Sequence, residues 1–164
     1  MRDRCWAALL TGFAVAAAAA EPATPPDRLA IGVDYGGGHV RAGFGPRWAG
    51  ELRFQQGHAP SVDGDVRADA FGLRGIRFLK VWRTWRFFVA AEGDYIATER
   101  TVSSYSVSGF AAGAAIGAEV RLLRRLCLGV DAGPYLFSLH EKTTRTSTNA
   151  VSFVANSSLT FYLF

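Results

Sequence analysis

The sequence predicts an all-β protein whose eight antiparallel strands run up and down and close into a transmembrane barrel. Strand-length stretches recur between Leu29 and Phe164, in which large apolar residues alternate with small, polar or charged ones. The connections between them are alternately tight and long, as in outer-membrane barrels. Beyond residue 20, no stretch offers the roughly 18 uninterrupted apolar residues of a spanning helix. A sheet that spans lipid must close on itself, because hydrocarbon cannot satisfy the N–H and C=O groups of an open edge.

The first segment stands apart from this pattern. Arg2 and Arg4, an apolar stretch from Trp6 to Val15 and an alanine run ending at Ala20 before Glu21 read as a signal peptide over residues 1–20. Residues 21–27, with Pro22, Pro25 and Pro26, read as an extended periplasmic leader, and residues 28–164 as the barrel. Cys5 lies too early, and lacks preceding small residues, for lipid attachment. Cleavage leaves Cys127, which cannot form an internal disulfide and reads as a small packing residue. The net charge of +4 is mild and includes two arginines of the signal. The clusters Arg83–Arg86 and Arg121–Arg125 are basic, but export argues against a nucleic-acid partner, and both read as turns at a membrane face.

The strands follow in order. Leu29, Ile31, Val33 and Tyr35 alternate with Ala30, Gly32 and Asp34, and Gly36-Gly37-Gly38 supplies a tight reversal. The second strand, His39 to Gly45, carries Val40, Ala42 and Phe44 on one face, and Gly45-Pro46-Arg47 ends it. The third, Trp48 to Gln56, sets Trp48, Leu52 and Phe54 opposite Glu51 and Arg53. A polar loop is expected from Gly57 to Arg67. The fourth strand, Asp69 to Leu79, alternates poorly, because Arg77 shares a face with Phe71 and Leu73 while Arg74 shares one with Ile76 and Phe78, which predicts a bulge or an end effect.

The fifth strand sets Trp85, Phe87, Val89 and Tyr95 against Arg86, Glu92 and Asp94. After a loop from Thr98 to Ser104, Tyr105 to Leu122 is expected as a strand despite its alanines, given its glycines and its strand-like flanks. The seventh strand, Leu126 to Ser138, contains Pro134 as an irregularity near a rim. A loop from Leu139 to Asn149 precedes the eighth, Ala150 to Phe164, with Phe153, Ala155, Leu159, Phe161 and Leu163 outward. Aromatic belts follow from this order. Phe44, Trp48, Trp82, Trp85, Tyr162 and Phe164 fall at the periplasmic interface, and Tyr35, Phe54, Phe71, Tyr95, Tyr105 and Phe137 at the other rim.

The leading segment, the eight alternating segments and the terminal Thr160-Phe-Tyr-Leu-Phe164 resemble the small outer-membrane β-barrel superfamily, the OmpX, Ail and opacity-protein group. The resemblance covers the whole chain after residue 20. It implies a monomer in the bacterial outer membrane, in contact with lipid and lipopolysaccharide. It also implies that Tyr162 and Phe164 form the terminal aromatic signal read by the barrel-assembly machinery. Ser158 and Thr160 depart from the hydrophobic residues usual further upstream.

The interior of an eight-stranded barrel is just wide enough to be filled by side chains. Asp34, Arg41, Glu51, Arg53, Arg86, Glu92, Asp94, Glu119 and Asp131 are expected inside as a polar network. A plug is favoured over a narrow ion path, because buried charges must be paired. For hydrolysis, Ser138, His140 and Glu141 are the weak candidates. The lipid A 3-O-deacylase pattern, His-x-Ser-Asn with a distant Glu, is not met by Ser138-Leu-His140-Glu141. His39, His58 and His140 are scattered, so no metal is expected, nor any other cofactor. The expected function is therefore non-enzymatic: envelope integrity, or interaction with a surface ligand through short loops. The alternatives are a lipid A-modifying hydrolase using Ser138 and His140, and a soluble exported lipocalin-like barrel.

Overall fold

The computed structural model describes residues 29–59, 66–82, 84–100, 106–141 and 146–163. The expected signal peptide, the leader, Tyr105 and Phe164 lie outside them. Eight antiparallel strands follow one another: β1 (Leu29–Asp34), β2 (Gly37–Gly43), β3 (Trp48–Ala59), β4 (Val66–Trp82), β5 (Trp85–Arg100), β6 (Ser106–Leu123), β7 (Leu126–Glu141) and β8 (Ser147–Tyr162). Each pairs with its neighbours in sequence, and β1 also pairs with β8, from Ala30↔Tyr162 to Asp34↔Ser158. The sheet is therefore one closed ring. Its base carries Leu29, Leu163 and the turns at Gly45–Arg47 and Arg124–Arg125, and the opposite end is its mouth.

Residue parity decides which side chains enter the ring. Along β7, Cys127, Gly129, Asp131, Gly133 and Tyr135 are buried, while Val130, Pro134 and Leu136 are exposed. The same alternation carries Arg86, Phe88, Ala90 and Glu92 inward on β5. The alanine- and glycine-rich β6 is a strand throughout, and its inward glycines have a packing reason. A Cβ on Gly113 would collide with the Tyr135 ring, and one on Gly117 with Phe88. Two turns use positive dihedrals, at Gly36 (φ 84°) and Gly45 (φ 80°).

Several boundaries differ from expectation. Of the loops expected at residues 57–67, 98–104 and 139–149, the parts at 57–59, 66–67, 98–100, 139–141 and 147–149 are strand, because β3, β4, β5, β7 and β8 extend toward the mouth, and residues 60–65, 101–104 and 142–145 lie outside the described residues. Polar residues there pair their backbones without needing an apolar face, so alternation fades before pairing does. In β4 the alternation holds unbroken from Gly72 to Phe78, with Arg74 buried and Arg77 exposed. The bulge lies later, between Phe78 and Lys80. Arg77 stays outside by laying its guanidinium over the Trp48 ring, 5.4 Å from the centroid. Pro134 sits in mid-strand and not at a rim: pairing of β6 with β7 skips from Gly113↔Tyr135 to Ile116↔Ala132.

Candidate functional site

Inward parity from seven strands brings charged side chains together inside the ring. At the base, Arg41 donates from Nε to Glu51 Oε1 and from Nη1 to Glu119 Oε2 and the Tyr162 hydroxyl, each at 2.6 Å. Arg86 joins Glu119 from the other side and donates to the Tyr162 hydroxyl at 2.8 Å and to Cys127 Sγ at 3.6 Å. Its guanidinium also lies over the Phe78 and Tyr162 rings, 5.0 and 5.1 Å from their centroids. Glu119 and Arg86 are each 1% exposed. One carboxylate thus holds two arginines in a water-poor layer, where the charges require each other.

A second layer lies toward the mouth. Arg53 Nη1 reaches both Glu92 oxygens, at 2.6 and 2.7 Å, and its Nε and Nη2 reach Asp34 at 3.2 and 3.1 Å. His39 bridges Asp34 and the Thr160 hydroxyl, at 3.1 Å each. The Tyr135 hydroxyl donates to Glu92 at 2.6 Å, and Asn156 donates to Asp131 at 3.2 Å. Arg74 is held by charge more than by aligned hydrogen bonds: Nη2 is 2.9 Å from Asp131, and Nε lies 3.9 and 4.0 Å from Glu92 and Glu51. Above this layer a cavity of about 80 Å³ opens at the mouth, lined by Arg53, Glu92, Asp94, Tyr135, Phe137 and Asn156 among others.

All nine charged residues expected inside are on the inner face, and Asp94 is the one placed highest, on the wall of the mouth cavity. Sequence reasoning missed Arg74, His39, Tyr135 and Thr160. Strict parity along each strand would have found all of them. Tyr162 is a correction: expected in the aromatic belt, it is 0% exposed and bonds inside the ring. Phe161 and Leu163 take the two outward-facing positions beside it, so parity forces it in. Phe137 likewise borders the mouth cavity instead of the outer rim, stacked near Tyr135 with ring centroids 6.4 Å apart. The other described belt residues are on the outer face: Tyr35, Trp48, Trp82 and Tyr95 are exposed, and Trp85 is half-buried.

Ser138 and His140 share the exposed outer face of β7 near the mouth, and Glu141 lies on the opposite face. The histidine's partner is Ser147 of β8, with Nδ1 3.1 Å from its hydroxyl, and not Ser138. Among the described residues no group of three or more His, Cys, Asp or Glu side chains is placed to hold a metal ion. In comparisons with known proteins, no family model, no curated protein and no solved structure matches the chain.

Proposed function

We propose that the chain is a non-enzymatic β-barrel of the bacterial outer membrane, with a plugged interior, that supports the envelope or presents its mouth to a surface partner. One observation carries this reading: the polarity of the ring is inverted. Arg41, Arg53, Arg74, Arg86, Glu51, Glu92 and Glu119 are buried, while Phe44, Trp48, Phe54, Leu73, Ile116, Leu136 and Phe153 are exposed. In water such an outer face would be an apolar surface far beyond what soluble monomers carry. In lipid it is the favoured arrangement, and Trp48 and Trp82 at the base and Tyr35 and Tyr95 toward the mouth suit the two interfaces. A soluble ligand-binding barrel would reverse both faces.

The plug follows from the pairing. Each buried arginine of the two layers meets a carboxylate from another strand, so a permeating ion would have to break pairs that water cannot replace. Fractionation tests the reading. The protein should be recovered from outer membranes and migrate faster on denaturing gels before boiling than after. Recovery in the soluble periplasm would overturn it. In planar bilayers the protein should give no steady conductance, and a stable open level would overturn the plug while leaving the barrel intact.

A further inference from the structure

One stretch of the apolar outer face carries charge. On β4, Arg77 and Lys80 are both exposed near the base. Parity alone would turn Lys80 inward, but the bulge after Phe78 sets it opposite the outward Phe87 and leaves Leu79 exposed as well. Arg77 stands level with the Gly45–Arg47 turn, since the next residue, Phe78, donates its backbone N–H to the Arg47 carbonyl at 2.8 Å. The face of its guanidinium lies over the Trp48 ring, which leaves the N–H edges free. Among the described residues neither cation has a carboxylate partner. On the outer face of β3, β4 and β5 the nearest carboxylate is Asp69, eight positions up β4 from Arg77 or roughly 26 Å along the strand, and it is already paired with Arg67.

Toward the mouth from these cations, the outer face is hollow. Gly75 is the next outward residue after Arg77 and Gly50 the next after Trp48, and the two glycines are paired. Ala42, Phe44, Leu52 and Leu73 complete an apolar groove around them. Glu51 and Arg74 also border it, but their side chains are buried inside the ring. A Cβ on Gly50 would press on the Phe44 ring at 3.1 Å, whereas one on Gly75 would meet nothing within 4 Å. No contact inside the protein calls for glycine at position 75, and a glycine in a strand interior often marks a place where a ligand approaches closely.

We propose that this face seats an anionic phospholipid of the periplasmic leaflet, with its phosphate on Arg77 and Lys80 and an acyl chain in the groove over Gly50 and Gly75. The inference rests on the membrane reading above and gives it a defined partner. Free guanidinium edges suit the oxygens of a phosphate, and the lysine adds a second positive charge. An outward arginine is costly at the bilayer midplane and tolerated at the interface, where phosphates lie. From a phosphate at this level the chains run toward the bilayer centre, which is the direction of the groove. Two cations without carboxylates favour a headgroup of net negative charge over a zwitterionic one. Lipid A is a poor occupant, because its phosphates lie at the outer surface, by the mouth.

The test uses the whole protein in micelles and, as probe, phosphatidylglycerol titrated while native mass spectrometry counts the lipids retained. One lipid should be held tightly. Replacing both cations, Arg77→Gln with Lys80→Gln, should lower its affinity at least about ten-fold. Gly75→Phe fills the groove where a side chain meets no protein atom, so the heat-dependent gel shift should survive while affinity falls about five-fold or more with both cations in place. Arg124→Gln, at an exposed turn of the base away from the groove, should leave affinity within about two-fold of the parent. The proposal is overturned if the double variant or Gly75→Phe binds as well as the parent, or if Arg124→Gln loses as much as the double variant. Retention of phosphatidylethanolamine or lipid A as tight as that of phosphatidylglycerol would also overturn it. Recovery in the soluble fraction would sink the membrane reading and is scored separately from these outcomes.

Discussion

The base and the mouth of the ring are built from the same strands by the same alternation, yet they are finished differently. At the base every strand has two neighbours, and Arg41, Arg86, Glu119 and Tyr162 lock into a layer exposed by no more than a few per cent. At the mouth the β1–β2 hairpin stops short, β8 runs on past it with no partner on that side among the described residues, and Arg53 and Glu92 border a cavity. The difference lies in length more than in composition: β1 has 6 residues and β8 has 16. A closed ring can thus be tightly packed at one end and open at the other without changing its inner pattern.

Removing Glu119 should break this contrast most severely. Glu119→Ala leaves Arg41 and Arg86 facing each other without their shared carboxylate, a loss of about 3 to 5 kcal/mol for a buried pair. Glu92→Ala, its counterpart at the mouth, should cost less than about half as much, because Arg53 keeps Asp34 and the cavity admits water. Urea unfolding of both variants from lipid vesicles measures the two losses. Equal losses would mean that the mouth is as closed as the base.

The outer face gives the next largest effect. Val130 is 40% exposed on the outer face of β7, and an arginine there should destabilise the lipid-inserted protein by roughly 2 to 4 kcal/mol. Val89→Arg, on β5, should behave alike. Gly129→Arg acts through crowding, since even a Cβ at Gly129 would come within 2.6 Å of the Ser158 hydroxyl oxygen. In detergent the two outward variants should lose most of their penalty while Gly129→Arg keeps its own. Refolding titrations in vesicles and in micelles separate the two behaviours.

This base-to-mouth gradient also decides what the sequence can reveal. Near the base and through the middle of each strand, one face is apolar and the other is not, so the chain writes its parity openly: Arg41, Glu51, Arg86 and Glu119 are legible as inward residues. Toward the mouth, β3 runs on past Gln56 through Gly57 and His58, and β4 begins ahead of Asp69 at Val66 and Arg67, with Arg67 bonded to Asp69 on the exterior at 3.3 Å. Backbone pairing leaves no mark on such residue types, which is why these strand ends read as loops. Arg74 is hidden by Arg77, whose stacking on Trp48 lets a charge sit on the apolar face. Tyr162 escapes because its residue type points to the belt while its position points inward. How far β8 outruns the β1–β2 hairpin cannot be read at all, since it depends on the register between β1 and β8, which joins residues more than a hundred positions apart.

Two tyrosines compare the ends at smaller scale. The Tyr162 hydroxyl sits among Arg41, Arg86 and Glu119, and Tyr162→Phe should cost about 1 to 3 kcal/mol because the arginine donors lose an acceptor that no water can replace. The Tyr135 hydroxyl donates to Glu92 beside the cavity, and Tyr135→Phe should cost about 1 kcal/mol or less, since a water can take its place. Thermal unfolding of both variants under one set of conditions checks the order, and a reversed order would remove the contrast between a dry base and a wet mouth.

Asp94→Asn should have the smallest effect, within about 0.5 kcal/mol of the parent. The Asp94 carboxylate is repelled by Glu92 and attracted by Arg53 and Arg74, so neutralising it removes opposing interactions at once. Those arginines keep closer carboxylates, Arg53 at Glu92 and Asp34, and Arg74 at Asp131. The substituted amide keeps the shape of the wall, so stability should be insensitive to it. Urea unfolding of the variant beside the parent checks this, and a loss of stability comparable to that of Glu92→Ala would assign Asp94 to the plug.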